Sequence, residues 1–425
     1  MKNKILFIVL QFIISVTLIS QWQQVNIFNS TEKIQNLDAV GQSVIWVVSF
    51  EAASNIYRTT NSGLNWIHSG SIPEYCYFIS AVNSTTAWVS SGLGNIYKTS
   101  NGGINWVQQQ YSPKNFINRI HFFNENTGYI LADAVNDTVG FFYTRNGGNT
   151  WIRSSKAPVS NSGTLLVENC GNQLDTNFIW FCGHHGETNY KFYKLTGGFE
   201  SLWQVHDYGQ TGSFRFAVFK DNLNGIAAAY GGQIVITSDG GATWLNKNSA
   251  VGTGTLHELI AVPGSNWIIA LRGNAINLSR DFCSTWFASN FAGGTPGYGD
   301  AFDTNRIWLS YANGSVIKYN LLAIGISVIS NNIPNAFRLM QNYPNPFNPI
   351  TKIRFAVPSG VQSTGKSNLS VFDVNGKLIK TILDMTLEQG EYEAIFDGSN
   401  YSSGIYFYKL TYRDLSAVNK MILVK

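Results

Sequence analysis

The sequence predicts an all-β protein: a seven-bladed β-propeller followed by a small immunoglobulin-like β-sandwich. Three observations predict it. A ten-residue frame recurs along most of the chain, an aromatic strand signal recurs ahead of each copy, and near residue 320 the character changes to a second series of short strands.

The frame reads YRTTNSGLNW ending at Trp66, YKTSNGGINW at Trp106, FYTRNGGNTW at Trp151, VITSDGGATW at Trp244 and NLSRDFCSTW at Trp286, with a looser YKLTGGFESLW ending at Trp203. Repetition at a period of about 40–45 residues belongs to solenoids and propellers rather than to one continuous enzyme core. Each copy reads as a hairpin. Tyr97-Lys98-Thr99 alternates like a strand, Asn101-Gly102-Gly103 turns, and Trp106-Val107 opens the returning strand. Glycine reaches positive φ without steric cost, and Asn or Asp bonds the backbone just ahead of it. The tryptophan is then free to lie against a neighbouring sheet. In the copy at Ser279–Trp286, Cys283 replaces the usual glycine, so a distorted turn is expected there.

A second register supplies the blade count. Strand-like markers fall at Trp46, Trp88, Tyr129, Trp180, Ile226, Trp267 and Trp308. Six precede a hairpin frame. The seventh, Trp308, leads into Val316-Ile317-Lys318-Tyr319, which no tryptophan follows. The missing strand lies at the other end of the chain, in Gln21-Trp22-Gln23-Gln24-Val25, so the N-terminal segment is expected to supply the outer strand of the last blade. Such closure leaves only short, protected edges. Seven four-stranded blades are therefore expected over residues 21–320, with Trp22, Trp66, Trp106, Trp151, Trp203, Trp244 and Trp286 as repeat scaffold.

Composition fits many short strands: 14% aromatic residues, 40 glycines and 13% charged residues, about half the usual charged share. The net charge of +4 is mild and its cations are scattered, which argues against nucleic acid as a partner. The first twenty residues read as a signal peptide. Lys2 and Lys4 precede an apolar run from Ile5 to Ile19, shorter than the roughly 20 residues a membrane-crossing helix needs. Cleavage after Ser20 would leave no transmembrane segment. In an exported chain the four cysteines invite a disulfide, and Cys170 and Cys182, flanking a turn between adjacent strands, are the pair within reach. Four small buried hydrophobes are the plainer reading.

After Tyr319 comes an apolar connector, residues 321–332, and a second domain over residues 333–425. Its opening, QNYPNPFNP at Gln341–Pro349, forbids helix. Alternating strands follow at Thr351–Phe355, Leu369–Asp373, Lys377–Leu383, Tyr392–Phe396, Gly404–Tyr412 and Ala417–Val424.

Two resemblances follow from these residues. The hairpins at Thr59–Trp66, Thr99–Trp106, Thr144–Trp151 and Thr237–Trp244 resemble the Asp-box (BNR) repeat, and the propeller as a whole resembles the photosystem II assembly-factor-like propellers. Those motif residues are structural, and none carries over as a site. The C-terminal segment, from LMQNYPNPFNPITKIRF through LSVFDVNGKLI, GEYEAIFDG and SGIYFYKL to NKMILVK, resembles the type IX secretion sorting domain (type A, Por-type) of Bacteroidetes-like bacteria. That resemblance implies export through the periplasm, handling by the type IX secretion machinery, and a secreted or outer-cell-surface destination.

For the propeller's own activity, function is expected on the face opposite the hairpin turns. The loops expected there offer Tyr75, Tyr111, His184, His185, Glu187, Tyr208 and Tyr298 as candidate ligand contacts, a mix suited to a carbohydrate or protein ligand. Cys182, His184, His185 and Glu187 contain metal-ligating types, but adjacent histidines point apart on an extended chain, so no metal or other cofactor is implied. Asp38 and Asp300 each lie eight residues ahead of their blade's marker tryptophan, and His121 shares that offset ahead of Tyr129. They are the candidate catalytic residues if the chain is a glycoside hydrolase, since two facing carboxylates can perform acid–base hydrolysis. Polar residues lining a wet channel are the plainer reading. A sialidase would also need an arginine cluster, and Arg119, Arg215 and Arg272 are scattered. The sequence therefore favours an exported binding or adhesion propeller, with a glycoside hydrolase as the alternative.

Overall fold

The computed structural model describes residues 22–25, 32–41, 43–159, 164–185, 189–208, 214–229, 231–247, 255–290, 295–304, 306–311, 313–319, 326–330, 334–358, 364–388 and 390–425. The expected signal peptide lies outside them. Seven antiparallel four-stranded sheets account for the first part of the chain. Blade 1 comprises Lys33–Val40, Val44–Phe50, Ser54–Thr59 and Ile67–Ile72 from the inside out, and the later blades repeat that order. Inner strands of consecutive blades adjoin all the way round, including blade 7 to blade 1. Blade 7 is completed by Trp22–Val25, which pairs antiparallel with Val316–Tyr319, Trp22 standing opposite Tyr319.

The recurring hairpin has one hydrogen-bond pattern. The Thr59 hydroxyl donates to Asn61 Oδ1 and accepts the Gly63 N–H, both at 2.9 Å, while Asn61 Oδ1 also accepts the Asn65 N–H. The pattern returns at Thr99, Thr144 and Thr237. Ser279 keeps it too: its hydroxyl accepts the Cys283 N–H at 2.8 Å, and Asp281 accepts the Thr285 N–H. The expected distortion is therefore absent. The turn holds its shape by forcing Phe282 and Cys283 to φ of 54° and 67°, the left-handed region that glycine pairs occupy in the turns after Thr99, Thr144 and Thr237, and Ser62 with Gly63 after Thr59.

Each hairpin reaches back to the preceding blade. Trp66 meets Trp308 of blade 7 edge-on at 6.5 Å, Trp106 meets Trp46 at 6.3 Å, and Trp203 meets Phe141 at 5.2 Å. Trp151 packs edge-on to Phe122 of its own blade and against the cluster that also holds Trp88 and Ile96 of blade 2, Trp244 edge-on to Phe192, and Trp286 against the cluster holding Ile226 and Ile268. At the closure, Trp22 packs on Tyr319, which in turn packs on Trp267. Cations add a second tie at four junctions. Arg58, Lys98, Lys194 and Lys318 sit over an aromatic ring of their own blade and donate to a turn carbonyl of the next, at Gly102, Gly147, Gly240 and Ser62. Every inner strand also carries a register shift in its upper half, as at Ile34/Asn36, Cys76/Phe78 and Ile117/Arg119. Such bulges re-aim the extra side chain.

The second part is a pair of four-stranded antiparallel sheets. One contains Ile326–Ser330, Gly390–Asp397, Ile350–Val357 and Arg338–Leu339; the other contains Leu378–Glu388, Thr364–Phe372, Gly404–Tyr412 and Leu415–Leu423. Ile353, Phe355, Leu369, Val371, Phe396 and Tyr408 are buried in its core. The connector expected over residues 321–332 needs correction, because Ile326–Ser330 is an edge strand paired with Gly390–Asp397. An alternating run free of Gly and Pro, beside an open sheet edge, gains more by pairing its backbone than by remaining a tether.

Candidate functional site

The inner strands enclose a cavity of about 590 Å³ along the propeller axis, with Asp38, Arg119, His121, Glu258 and Asp300 among its lining residues. The register places Asp38 opposite Trp46, His121 opposite Tyr129 and Asp300 opposite Trp308, so the three occupy one level of blades 1, 3 and 7. Ser80, opposite Trp88, fills the same level in blade 2.

An innermost strand is a sheet edge, and its outward N–H groups need acceptors. The side chains at this level supply them to the neighbouring blade. Asp300 Oδ2 accepts the Ala39 N–H at 2.8 Å, Asp38 Oδ2 accepts the Ala81 N–H at 2.6 Å, and the Ser80 hydroxyl accepts the Phe122 N–H at 3.0 Å. One level up, Asn36 accepts the Ile79 N–H at 3.3 Å and Glu258 accepts the Gly299 N–H at 3.0 Å. Asp300 Oδ1 also accepts its neighbour Ala301's N–H. Arg119 continues the ring into blade 4 by donating to Asn172 Oδ1 and Gln173 Oε1.

Asp38 and Asp300 are hydrogen-bonded to each other. Burial first, and then the Asp300 carboxylate beside it, push the Asp38 carboxyl well above its usual range. Burial raises Asp300 as well, against the pull of the Ala39 and Ala301 amides. Two buried carboxyls side by side disfavour a second negative charge, and Asp38 is the one pushed further toward its protonated form. His121 is driven to about 3 by burial and then by Arg119, so its ring is neutral. Glycosidases hold their two carboxyl groups about 5–9.5 Å apart, with the scissile bond between them. Two carboxyls in mutual contact, each also holding a backbone amide, leave no such gap. These side chains can lock blades 7, 1 and 2 together.

The remaining candidates separate. Tyr75 is half-buried at the upper end of blade 2, on the face opposite the hairpin turns, with ring contacts to Phe50 at 4.1 Å and Tyr77 at 4.6 Å. Tyr298 is half-buried, and its backbone is tied through N–H and carbonyl to the Ser310 hydroxyl. Tyr111 is corrected from loop contact to core: it is buried, packs edge-on to Phe142 and donates to the Asn115 carbonyl. Tyr208 is likewise corrected. Its ring is buried against Phe214 and Trp244, and its hydroxyl lies 3.0 Å from Cys182 Sγ. Tyrosine brings a large apolar ring with one polar tip, and in both cases the interior takes the ring. His184 and His185 belong to strand Phe178–His185 rather than to a loop. Their side chains, and Glu187 altogether, lie outside the described residues. Cys182 is disulfide-bonded while Cys76 and Cys283 are buried free thiols; the Cys170 side chain lies outside the described residues. A cysteine so bonded offers no thiolate to a metal. Among the described residues no three His, Cys, Asp or Glu gather as a metal site, and no helix is long and apolar enough to cross a membrane.

Sequence reasoning missed Asn36, Ser80 and Glu258, because nothing in their spacing shows which neighbouring amide each meets. It also missed Phe50, Tyr77 and Phe116, which stand with Tyr75 at the upper ends of blades 1 to 3.

Residues 341–425 match the family described as secretion system C-terminal sorting domain. The chain thus carries a sorting domain handled by type IX secretion machinery, which directs it across the outer membrane to the cell surface or exterior. Among solved structures, the chain is similar to YCF48 from Cyanidioschyzon merolae, with 16% identity and a TM-score of 0.58 over 70% of this chain and 98% of that one. It is similar at 16% identity to YCF48 bound to D1 peptide, with a TM-score of 0.55 over 71% of this chain and 97% of that one. A GH74 xyloglucanase from Xanthomonas campestris matches at 11% identity with a TM-score of 0.50, over 80% of this chain and 60% of that one. At these identities the likeness shows the propeller fold alone. Among curated proteins none matches the chain.

Proposed function

We propose that this protein is an exported binding propeller whose ligand is met on the face opposite the Asp-box-like hairpins, after the C-terminal domain has routed the chain outward. The reading rests on one observation above all: Asp38 and Asp300, the carboxylates best placed for hydrolysis, are in contact and occupied by the Ala81 and Ala39 amides of adjacent blades. Their chemistry is spent on closing the ring. The alternative, a secreted glycoside hydrolase, has the fold likeness to the xyloglucanase behind it, but the two carboxylates expected to carry it, Asp38 and Asp300, lie against each other instead of flanking a gap. A YCF48 structure carrying a bound D1 peptide supports the general point that a propeller of this size can serve as a binding module.

Two experiments test the reading. A chain truncated before residue 341 is expected to accumulate in the periplasm while the full chain reaches the surface or medium; surface delivery of the truncated chain would overturn the export role. In a polysaccharide-hydrolysis screen the full chain is expected to release no sugar. Turnover that disappears in Asp38→Asn or Asp300→Asn would establish the hydrolase instead.

A further inference from the structure

The sorting domain carries an apolar sheet face that the described residues leave uncovered. In its second sheet Tyr406, Tyr408, Leu410, Met421 and Leu423 are buried in the sandwich. Alternation along a strand therefore turns Ile405, Phe407, Lys409, Lys420 and Ile422 to the opposite face. The register joins one row across all four strands: Leu378 stands opposite Phe372, Phe372 opposite Phe407, and Phe407 opposite Lys420. Ile405 and Ile422 stand opposite each other in the next row toward the end of the sheet, and the turn between Phe372 and Leu378 carries Val374 at that same end. With the propeller in place Val374 is 63% exposed, Leu378 53% and Ile405 43%, while Phe372, Phe407 and Ile422 are half-buried. Single exposed apolar residues are ordinary, but a joined set marks an interaction surface.

The face, not the adjoining sheet edge, is what stands open. The Phe347 N–H donates to the Ile422 carbonyl and Asn345 Oδ1 accepts the Ile422 N–H, both at 2.9 Å, so the QNYPNPFNP segment already occupies the outer edge of Leu415–Leu423. Three cations border the apolar residues. Lys420 ends the cross-strand row, Lys409 stands opposite Val418 in the row beyond it, and Lys377 closes the turn that carries Val374. All three are exposed, and none is in an ion pair among the described residues. Asp373, the carboxylate of the same turn, is engaged by the Asn375 and Lys377 N–H groups. The border is thus positive. A second copy laid on this face would set lysines against lysines, which disfavours self-association.

We infer that this face docks on an anionic lipid surface. A fluid surface needs no matching shape, only apolar depth and negative charge, and the face supplies the counterparts of both. Val374, Leu378 and Ile405 enter the boundary between headgroups and acyl chains, and the lysine stems lie along it with their ammonium groups at the lipid phosphates. Each lysine near an anionic membrane adds its own attraction. The domain bearing the face is the one that directs the chain across the outer membrane, so it meets a lipid surface in the course of its work. The inference concerns the sorting domain and does not depend on what the propeller binds.

The test is cosedimentation of the full chain, at low salt, with vesicles of phosphatidylcholine alone or mixed equally with phosphatidylglycerol. The chain is expected to sediment with the mixed vesicles and to stay in solution with phosphatidylcholine. Lys409→Glu combined with Lys420→Glu, and separately Leu378→Ser combined with Ile405→Ser, should each lower the bound fraction about tenfold or more. Lys156→Glu, exposed on the propeller, should leave it unchanged. Every substituted side chain is exposed, and matched circular dichroism spectra would show that each variant is folded. Equal sedimentation with both compositions, or binding to the mixed vesicles that survives the lysine reversals, would overturn the inference. Absence of binding to either composition would also overturn it and leave the face to an acidic protein partner. Each of these failures leaves the export role standing, because that role is read separately from the chain truncated before residue 341.

Discussion

Replacing Asp38 separates its role as a blade latch from a role in chemistry. In the folded chain Asp38 accepts the Ala81 N–H and, in its protonated form, donates a hydrogen bond to Asp300. Asp38→Ala removes both contacts, leaving a buried backbone donor unpaired, at about 1–3 kcal/mol, and Asp300 without its donor; a total loss of about 2–4 kcal/mol is expected. Asp38→Asn preserves both contacts, its amide oxygen accepting from Ala81 and its amide N–H donating to Asp300, so its stability at neutral pH should stay within about 1 kcal/mol of the parent or exceed it. The pH dependence separates them further. The folded Asp38 carboxyl is raised above its unfolded value, so its contribution is fully present below about pH 3.9 and is lost as pH rises through the folded pKa. Asp38→Asn lacks that loss, and the parent should fall relative to it as pH increases. Urea unfolding across a pH series, compared at constant m, measures both effects. An Asp38→Ala midpoint equal to the parent's, or a parent and Asp38→Asn that respond to pH in parallel, would refute the latch.

Three further outcomes follow from the repeat geometry. Trp106→Ala removes a ring set edge-on to Trp46 and an indole N–H donated to the Ser69 carbonyl, and should lower stability by about 3 kcal/mol in the same urea assay. Gly103→Ala places a Cβ 2.1 Å from the Ser69 carbonyl oxygen at a φ of +85°, so soluble yield and unfolding midpoint should both drop, whereas Gly376→Ala, with open space around its Cβ, meets only the cost of its own positive φ and should drop less. Thiol titration of the denatured, unreduced chain should find the Cys76 and Cys283 thiols alone, and peptide mapping should recover Cys182 linked to Cys170; modification of Cys182 without prior reduction would contradict it.

Much of the architecture could be read in the residues, because a repeat imposes the same local physics many times. The Thr59 and Asn61 side chains bond to each other and to the Gly63 and Asn65 amides of the same turn, so their spacing reports their geometry. The absent tryptophan after Val316–Tyr319 likewise announced that Trp22–Val25 must close the ring. Even the shared level of Asp38 and Asp300 was legible, since both strands keep the same register to their marker tryptophans. Their task was not. It depends on the amides of Ala81 and Ala39 in adjacent blades, contacts separated in sequence by a whole blade or by nearly the whole propeller. Tyr111 and Tyr208 misled for a related reason: tyrosine in a predicted loop looks available until the packing of Phe142 or Trp244 around it is known. The bulge that turns Tyr77 toward Tyr75 and Phe116 leaves no composition signal, because one extra residue in a strand changes direction without changing residue type.

The central claim is that the propeller binds without hydrolysing, its axial carboxylates serving the fold. The most direct test incubates the purified full chain with a panel of soluble polysaccharides and follows binding and reducing-sugar release together, for the parent and for Asp38→Asn. The account predicts binding to at least one member of the panel, no sugar release, and the same binding in Asp38→Asn. Sugar release by the parent that Asp38→Asn abolishes while still folded and still binding would contradict it.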